Sequence, residues 1–172
     1  MTARTMELAP ESPVAQQYYA ATLVLQEHFA EALPLLQRSA EDHSRQDPNL
    51  YYTIGLCHLR LGQWDEAVSG FRKVIELTPD HPHAYLCLGM AELEQGKLAE
   101  AEADMREAIK LRPRVSVQYQ GYHSTLGTLL ERKGDLRGAL AEYDAESREN
   151  QDAVWVLDRM VAVRAKLASP VN

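Results

Sequence analysis

Between Tyr51 and Thr78 the apolar positions run in two helical phases separated by a glycine. Tyr51, Ile54, Gly55 and His58 follow i, i+3, i+4, i+7, the spacing of one face of an α-helix, and the run stops at Gly62, a natural helix terminator. A second run places Trp64, Ala67, Phe71 and Val74 on one face. It ends at Thr78-Pro79-Asp80, because proline removes a backbone donor and drives the preceding residue out of helical geometry. The segment predicts two helices, and the short turn between them forces an antiparallel pair.

This unit repeats. Gly55, Gly62, Ala67, Phe71 and Pro79 return as Gly89, Gly96, Ala101, Met105 and Pro113, each 34 residues later. A further copy follows at a spacing of 38, with Gly127, Gly134, Ala139 and Tyr143 answering Gly89, Gly96, Ala101 and Met105. The extra residues fall near Val115 to Tyr119, which predicts an irregular junction between Pro113 and Gly121. Upstream, Phe29, Ala32 and Leu36 precede Trp64, Ala67 and Phe71 by 35 residues. The chain therefore divides into four helix pairs, about 13–47, 48–81, 82–119 and 120–153. Residues 1–12 read as an N-terminal extension or the tail of a preceding repeat, since Met6 to Pro10 match Ile75 to Pro79 in type. Ala153 to Leu167 carries one more helical pattern, and residues 154–172 are expected to be a capping helix and tail that cover the last pair.

The repeated glycines need a physical reason, because a mid-helix glycine costs about 1 kcal/mol against alanine. Close approach of the two helices at Gly55, Gly89 and Gly127 supplies it. Together these residues resemble the tetratricopeptide repeat, whose signature is W-x2-L-G-x2-Y, then A-x3-F, then P. Tyr51, Ile54, Gly55, His58, Ala67, Phe71 and Pro79 stand at that spacing. Tyr85, Leu88, Gly89, Ala101, Met105 and Pro113 do so again. His123, Leu126, Gly127, Leu130, Ala139 and Tyr143 form a third match, with Gln151 where proline is expected. The first copy keeps Ala20, Leu23, Ala32 and Leu36 and lacks the glycine. The resemblance covers about Pro13 to Ala153 and implies an all-α fold, a right-handed α-solenoid of antiparallel helix pairs.

A second apolar stripe runs along the first helix of each pair. Tyr52, Leu56 and Leu59 form it in the second copy, and Leu86, Met90 and Leu93 in the third, with Cys87 beside them. Tyr18, Ala21, Val24 and Leu25 extend it into the first copy, whereas Ser124, Thr128 and Glu131 end it in polar character. Either these residues pack between repeats or they line the concave groove that the resemblance implies. The groove reading predicts a protein or peptide partner with an apolar segment, since so large an exposed patch marks an interaction site. It also places Leu86 and Met90 away from the core. One subclass of the family grips acidic C-terminal peptides with Lys, Asn and Arg; the matching face here carries Gln17, Ala21, Thr53, His83 and Cys87, so that clamp is not expected.

Charge and chemistry narrow the choice further. A formal net charge of -7 disfavours nucleic acid, whose binders concentrate Lys and Arg. Two cysteines in a chain of 172 residues imply packed thiols and no disulfide framework. Met1 to Gln17 lacks the apolar run of a signal peptide, and no stretch has the ~18 uncharged apolar residues of a membrane helix, so a cytoplasmic location is the expectation. No nucleophile elbow, phosphate loop, dinucleotide fingerprint or zinc motif occurs, so neither catalysis nor a cofactor is implied. His81-Pro82-His83 with Cys87 has the spacing of two or three metal ligands, but reads more simply as a loop His pair beside a packed Cys. His58 occupies a core position of the repeat, and Glu92, Glu94, Glu100, Glu102 and Asp104 read as solvated helix faces. The expected function is a non-enzymatic scaffold or adaptor. A self-associating module, or an accessory domain of a larger enzyme or of a secretion or assembly complex, is the alternative.

Overall fold

The computed structural model describes residues 13–41, 46–112 and 121–168. Among the described residues the secondary structure is helical throughout: α1 Pro13–Leu25, α2 Phe29–Ala40, α3 Pro48–Arg60, α4 Trp64–Leu77, α5 Pro82–Glu94, α6 Leu98–Leu111, α7 Tyr122–Lys133, α8 Leu136–Glu149 and α9 Val154–Ala168. None is long and apolar enough to cross a membrane. The expected junction between Pro113 and Gly121 and the segment ending at Pro10 lie outside the described residues. The chain forms two compact units, 1–87 and 88–172, divided within α5 between Cys87 and Leu88.

In the first unit Ala20 and Leu23 of α1, Ala32 and Leu36 of α2, and Leu50, Ile54 and Cys57 of α3 form one buried cluster. Ala67, Phe71 and Val74 of α4 are buried behind α3, where an added Cβ on Gly55 would lie 3.0 Å from the Phe71 ring. Pro48 starts α3 at the position where a missing N–H costs nothing, and the Asp47 carboxylate accepts from the Asn49 amide at 2.9 Å.

The second unit repeats this crossing twice. A Cβ on Gly89 would stand 2.8 Å from Met105 and 2.9 Å from the Ala101 carbonyl oxygen, and one on Gly127 would stand 2.7 Å from the Tyr143 ring. Ala101, Met105, Ala139 and Tyr143 are fully buried. α9 packs on α8 through Val156, Met160 and Val163.

The turns inside the helix pairs share one geometry. Glu27, Gly62, Gly96 and Gly134 have φ of 61°, 72°, 76° and 82°. The amide one residue later donates back to the carbonyl of Leu23, His58, Glu92 or Leu130, at 2.8 or 2.9 Å in every case. This is the Schellman ending, whose left-handed residue is usually glycine because in other residues the Cβ crowds the following carbonyl oxygen there. The first turn departs from the rule by using Glu27.

Candidate partner-binding surface

The second stripe emerges from the core to different depths along its length. In the first unit Tyr18 is 63% and Leu25 85% exposed on α1, while Val24 is half-buried against the α1–α3 cluster. On α3, Tyr52 and Leu56 are half-buried and Leu59 is buried. Leu86 and Cys87 on α5 are also buried. In the second unit Met90 is 37% exposed and Leu93 is buried. The expectation that Leu86 and Met90 share an outward face is thus met by Met90 alone. Leu59, Leu86, Cys87 and Leu93 lie inside the packing, and Tyr18, Leu25 and Met90 outside it.

Tyr52 shows what fills the inner part of the stripe. Its ring centroid lies 5.8 Å from that of Phe71 and 5.4 Å from that of His81, both rings tilted against it, and its hydroxyl stands 3.7 Å from the Cys87 sulfur. Burial, and then Cys87, push the Tyr52 phenol well above its usual range. Burial likewise raises the Cys87 thiol and pushes Cys57 up to about 11. The thiolate is the reactive form of cysteine, so both thiols are held inert. His83 is lowered by burial and by His81, whose ring lies 6.3 Å away. Among the described residues no three His, Cys, Asp or Glu side chains are grouped to hold a metal ion.

Between α3 and α4 lies an open depression of about 420 Å³, lined by Tyr51, Ile54, His58, Ser69 and Lys73 among others. Buried His58 faces it with its Nδ1 held by Gln63 at 2.7 Å, so that nitrogen has no free role as a base.

The titratable groups of the second unit hold helices together. Glu131, on α7, accepts from the Tyr143 hydroxyl at 2.8 Å, Arg159 at 2.7 Å and Lys166 at 2.9 Å. Burial alone would raise its pKa, but these hydrogen bonds and charges outweigh burial and hold the carboxyl below its usual range. Buried Glu146 of α8 accepts from the Gly121 amide at 2.8 Å and the Ser124 amide at 3.3 Å. It thereby caps α7, whose N-cap glycine has no side chain to do so. His123 is pinned between Glu142 at 2.6 Å and the Arg112 guanidinium at 2.6 Å.

One reading of the acidic positions needs correction, that of Glu92 as a solvated face. Glu92 is 1% exposed, inside the packing, whereas Glu94 pairs with Arg132 at 2.7 Å and Glu102 pairs with Arg106 and Lys133. Glu131, the expected polar end of the stripe, is a clamp on α9. Its partners are 28 and 35 residues away, outside any i, i+4 signal that a helix reveals by itself.

The fold is similar to that of several solved tetratricopeptide proteins. One is TTC0263 of Thermus thermophilus, described as a thermophilic TPR protein: 18% identity, TM-score 0.75, 95% of this chain and 87% of that one covered. YrrB, described as a TPR protein with an unusual peptide-binding site, gives 19% and 0.75, with 92% and 79% covered. The first TPR of Spaghetti (RPAP3), solved bound to the HSP90 peptide SRMEEVD, gives 21% and 0.66, with 72% and 98% covered. No curated protein sequence matches the chain. Helix pairs crossing at Gly55, Gly89 and Gly127 are what the tetratricopeptide signature builds, and residues 3–151 match the model of the Cilia and flagella-associated protein 70 middle TPR-like domain, so the chain belongs to that family.

Proposed function

We propose that the chain is a protein-interaction module that receives an apolar helix or extended segment of its partner on the α1 and α3 faces of the first unit. The observation that carries this reading is the exposure of Tyr18 and Leu25 on α1, with Val24 half-buried on the same helix and Tyr52 and Leu56 half-buried on α3. Apolar area removed from water contributes about 25 cal/mol per Å². Two large side chains standing in solvent provide an anchor of the kind that dominates interface energetics. Fold relatives described as peptide-binding support a peptide-sized ligand. Gln17, Ala21 and Thr53 bring no positive charge to this face, so an aliphatic segment fits it better than an acidic tail. Binding, rather than catalysis, is the role we assign: burial raises the pKa of the Cys57 and Cys87 thiols, and the buried His58 imidazole is bonded to Gln63.

Peptide display on the full chain tests the reading. Selected peptides should be rich in aliphatic residues, and Tyr18→Glu combined with Leu25→Glu should weaken their binding by about tenfold or more. The circular dichroism of the variant should match the parent, because both positions lie outside the core. Selection of acidic-tailed peptides, or unchanged affinity in the double variant, would refute it.

A further inference from the structure

The His81-Pro82-His83 run at the start of α5 lies one repeat length, 34 residues, after Asp47-Pro48-Asn49 at the start of α3. Both helices take proline as their first residue, and in both the residue before it caps the helix end. Asp47 does so with a carboxylate, its Oδ1 accepting from the Asn49 amide at 2.9 Å. His81 does so with an imidazole. Its Nδ1 accepts from the Ala84 amide at 3.1 Å, a donor it shares with its own carbonyl oxygen at 3.1 Å. Serine, threonine, aspartate and asparagine are the usual residues at this position. Histidine brings a property they lack near neutral pH: an acceptor that a proton abolishes. Ala84 is 0% exposed, so water does not replace the ring when it lets go, and the His81 carbonyl is the acceptor left to the amide.

A proton on Nδ1 would also stand at the positive end of α5 and beside a second histidine. The His83 ring lies edge-on, 6.3 Å from that of His81, and its pKa is lowered by burial first and by the charge of His81 second. From α3 the pair is faced by the Tyr52 phenol, whose ring centroid lies 5.4 Å from that of His81; from α5 comes the Cys87 thiol, 3.7 Å from the Tyr52 hydroxyl. Burial makes both hold their protons more firmly than usual, and Arg60, exposed at the end of α3, adds positive charge to their surroundings. Asp80, next to His81 in the chain, is exposed, where solvent screens its charge. The Tyr52 ring face does attract a cationic imidazole. The two states of His81 thus differ in the neighbour they serve: the Ala84 amide when neutral, the Tyr52 ring when charged.

We propose that His81 is a proton-operated cap, which closes the first turn of α5 when neutral and releases it when charged, while Asp47 still closes α3. The direction follows from the pair. Because the folded-state pKa of His83 lies below the ordinary 6.5, its stabilisation is complete above that value and is lost as pH falls through the folded one. Loss of the His81 acceptor acts in the same direction, so acid frays the start of α5 before it touches α3. Through Tyr52 the change reaches the second stripe on α3. The device belongs to the fold and stands whether or not the α1 and α3 faces receive a partner.

NMR spectroscopy of the full chain reads both states. At about pH 7.5 the His81 ring should show a bare Nδ1 and a protonated Nε2. Between that pH and about pH 5, exchange at the Ala84 amide, taken relative to its intrinsic rate at each pH, should speed up by about fivefold, the loss of one cap, while exchange at Asn49 stays within about twofold. His81→Asn, which caps without a titrating group, should keep the parent's protection of Ala84 at about pH 7.5 and lose most of the acid response. Should that variant unfold, the tautomer and the exchange of the parent decide. A proton on Nδ1 at about pH 7.5, acid exchange at Ala84 that rises no more than at Asn49, or an undiminished acid response in folded His81→Asn would overturn the proposal.

Discussion

In the α1–α2 pair Ala20 occupies the crossing that Gly127 occupies in the α7–α8 pair, and Leu36 stands where the second pair has the ring of Tyr143. Ala20 and Leu36 are 0% and 2% exposed in one aliphatic cluster, so an alanine methyl and a branched side chain share the space. At Gly127 the space of the methyl is taken, because a Cβ would come within 2.7 Å of the Tyr143 ring. The turns differ in the same sense, with Glu27 at a φ of 61° where Gly134 has 82°. The ties differ too. α7 and α8 are joined by the Glu146 cap and, through Glu131, to α9. The His28–Glu31 pair at 2.9 Å is local to the start of α2. The lesson is that signature positions work as coupled sets: at Gly127 the atoms nearest an added Cβ all belong to the facing Tyr143 ring, whereas at Gly89 the Ala101 backbone oxygen also bars it.

The largest expected effect tests that coupling. Gly127→Leu should destabilise the second unit by about 3 kcal/mol, the upper range for overpacking a core. Denaturant unfolding checks it. Gly127→Ala should cost less, and much of its cost should vanish in a Tyr143→Leu background, which reproduces the α1–α2 arrangement. If the cost persists without the ring, the crossing is limited by backbone contact and the coupling is wrong.

A smaller effect is expected from the tie to α9. Glu131→Gln should loosen α9 by about 1 to 2 kcal/mol, the range for hydrogen bonds to a charged group at a partly solvated site, seen as faster amide exchange at Val156 to Val163. The pH dependence has a definite sign. Because the folded-state pKa of Glu131 is depressed, its contribution is complete above the ordinary glutamate value of 4.5 and is lost as pH falls through the folded pKa. The parent and Glu131→Gln should therefore converge in acid and differ fully at neutral pH. Equal exchange of the two at pH 7 would show that apolar contacts alone hold α9.

The smallest effect concerns the turns. Glu27→Gly should stabilise the first unit by about 0.5 to 1 kcal/mol, since relief of the left-handed strain exceeds the added freedom of the unfolded chain. Gly134→Ala should shift the second unit by a similar amount in the opposite direction. Thermal melts that moved the same way for both would mean the two turns are under different constraints.

How far the sequence could be read depends on whether the deciding contact is local and periodic. Gly55 with Phe71 and Gly127 with Tyr143 recur at constant offsets, so the crossings could be placed before any helix was seen. The Leu86 and Met90 positions could not be ranked in the same way. They sit one turn apart on one apolar helix, and only the neighbours packed over Leu86 make it 9% exposed while Met90 remains at 37%. Glu92 was hidden for the same reason, since a glutamate on a helix carries no mark of whether another helix will cover it.

By itself the amino-acid sequence determined the helix pairs, their turns and their crossings, because the i, i+3, i+4 spacing, the left-handed turn residue and the glycine opposite a ring act within one repeat length. Tertiary structure alone decided which members of the second stripe stay in water and that Glu131 and Glu146 serve α9 and α7. Burial is a non-local quantity: a side chain is removed from water by whichever element packs over it, and that element is named only by the folded chain.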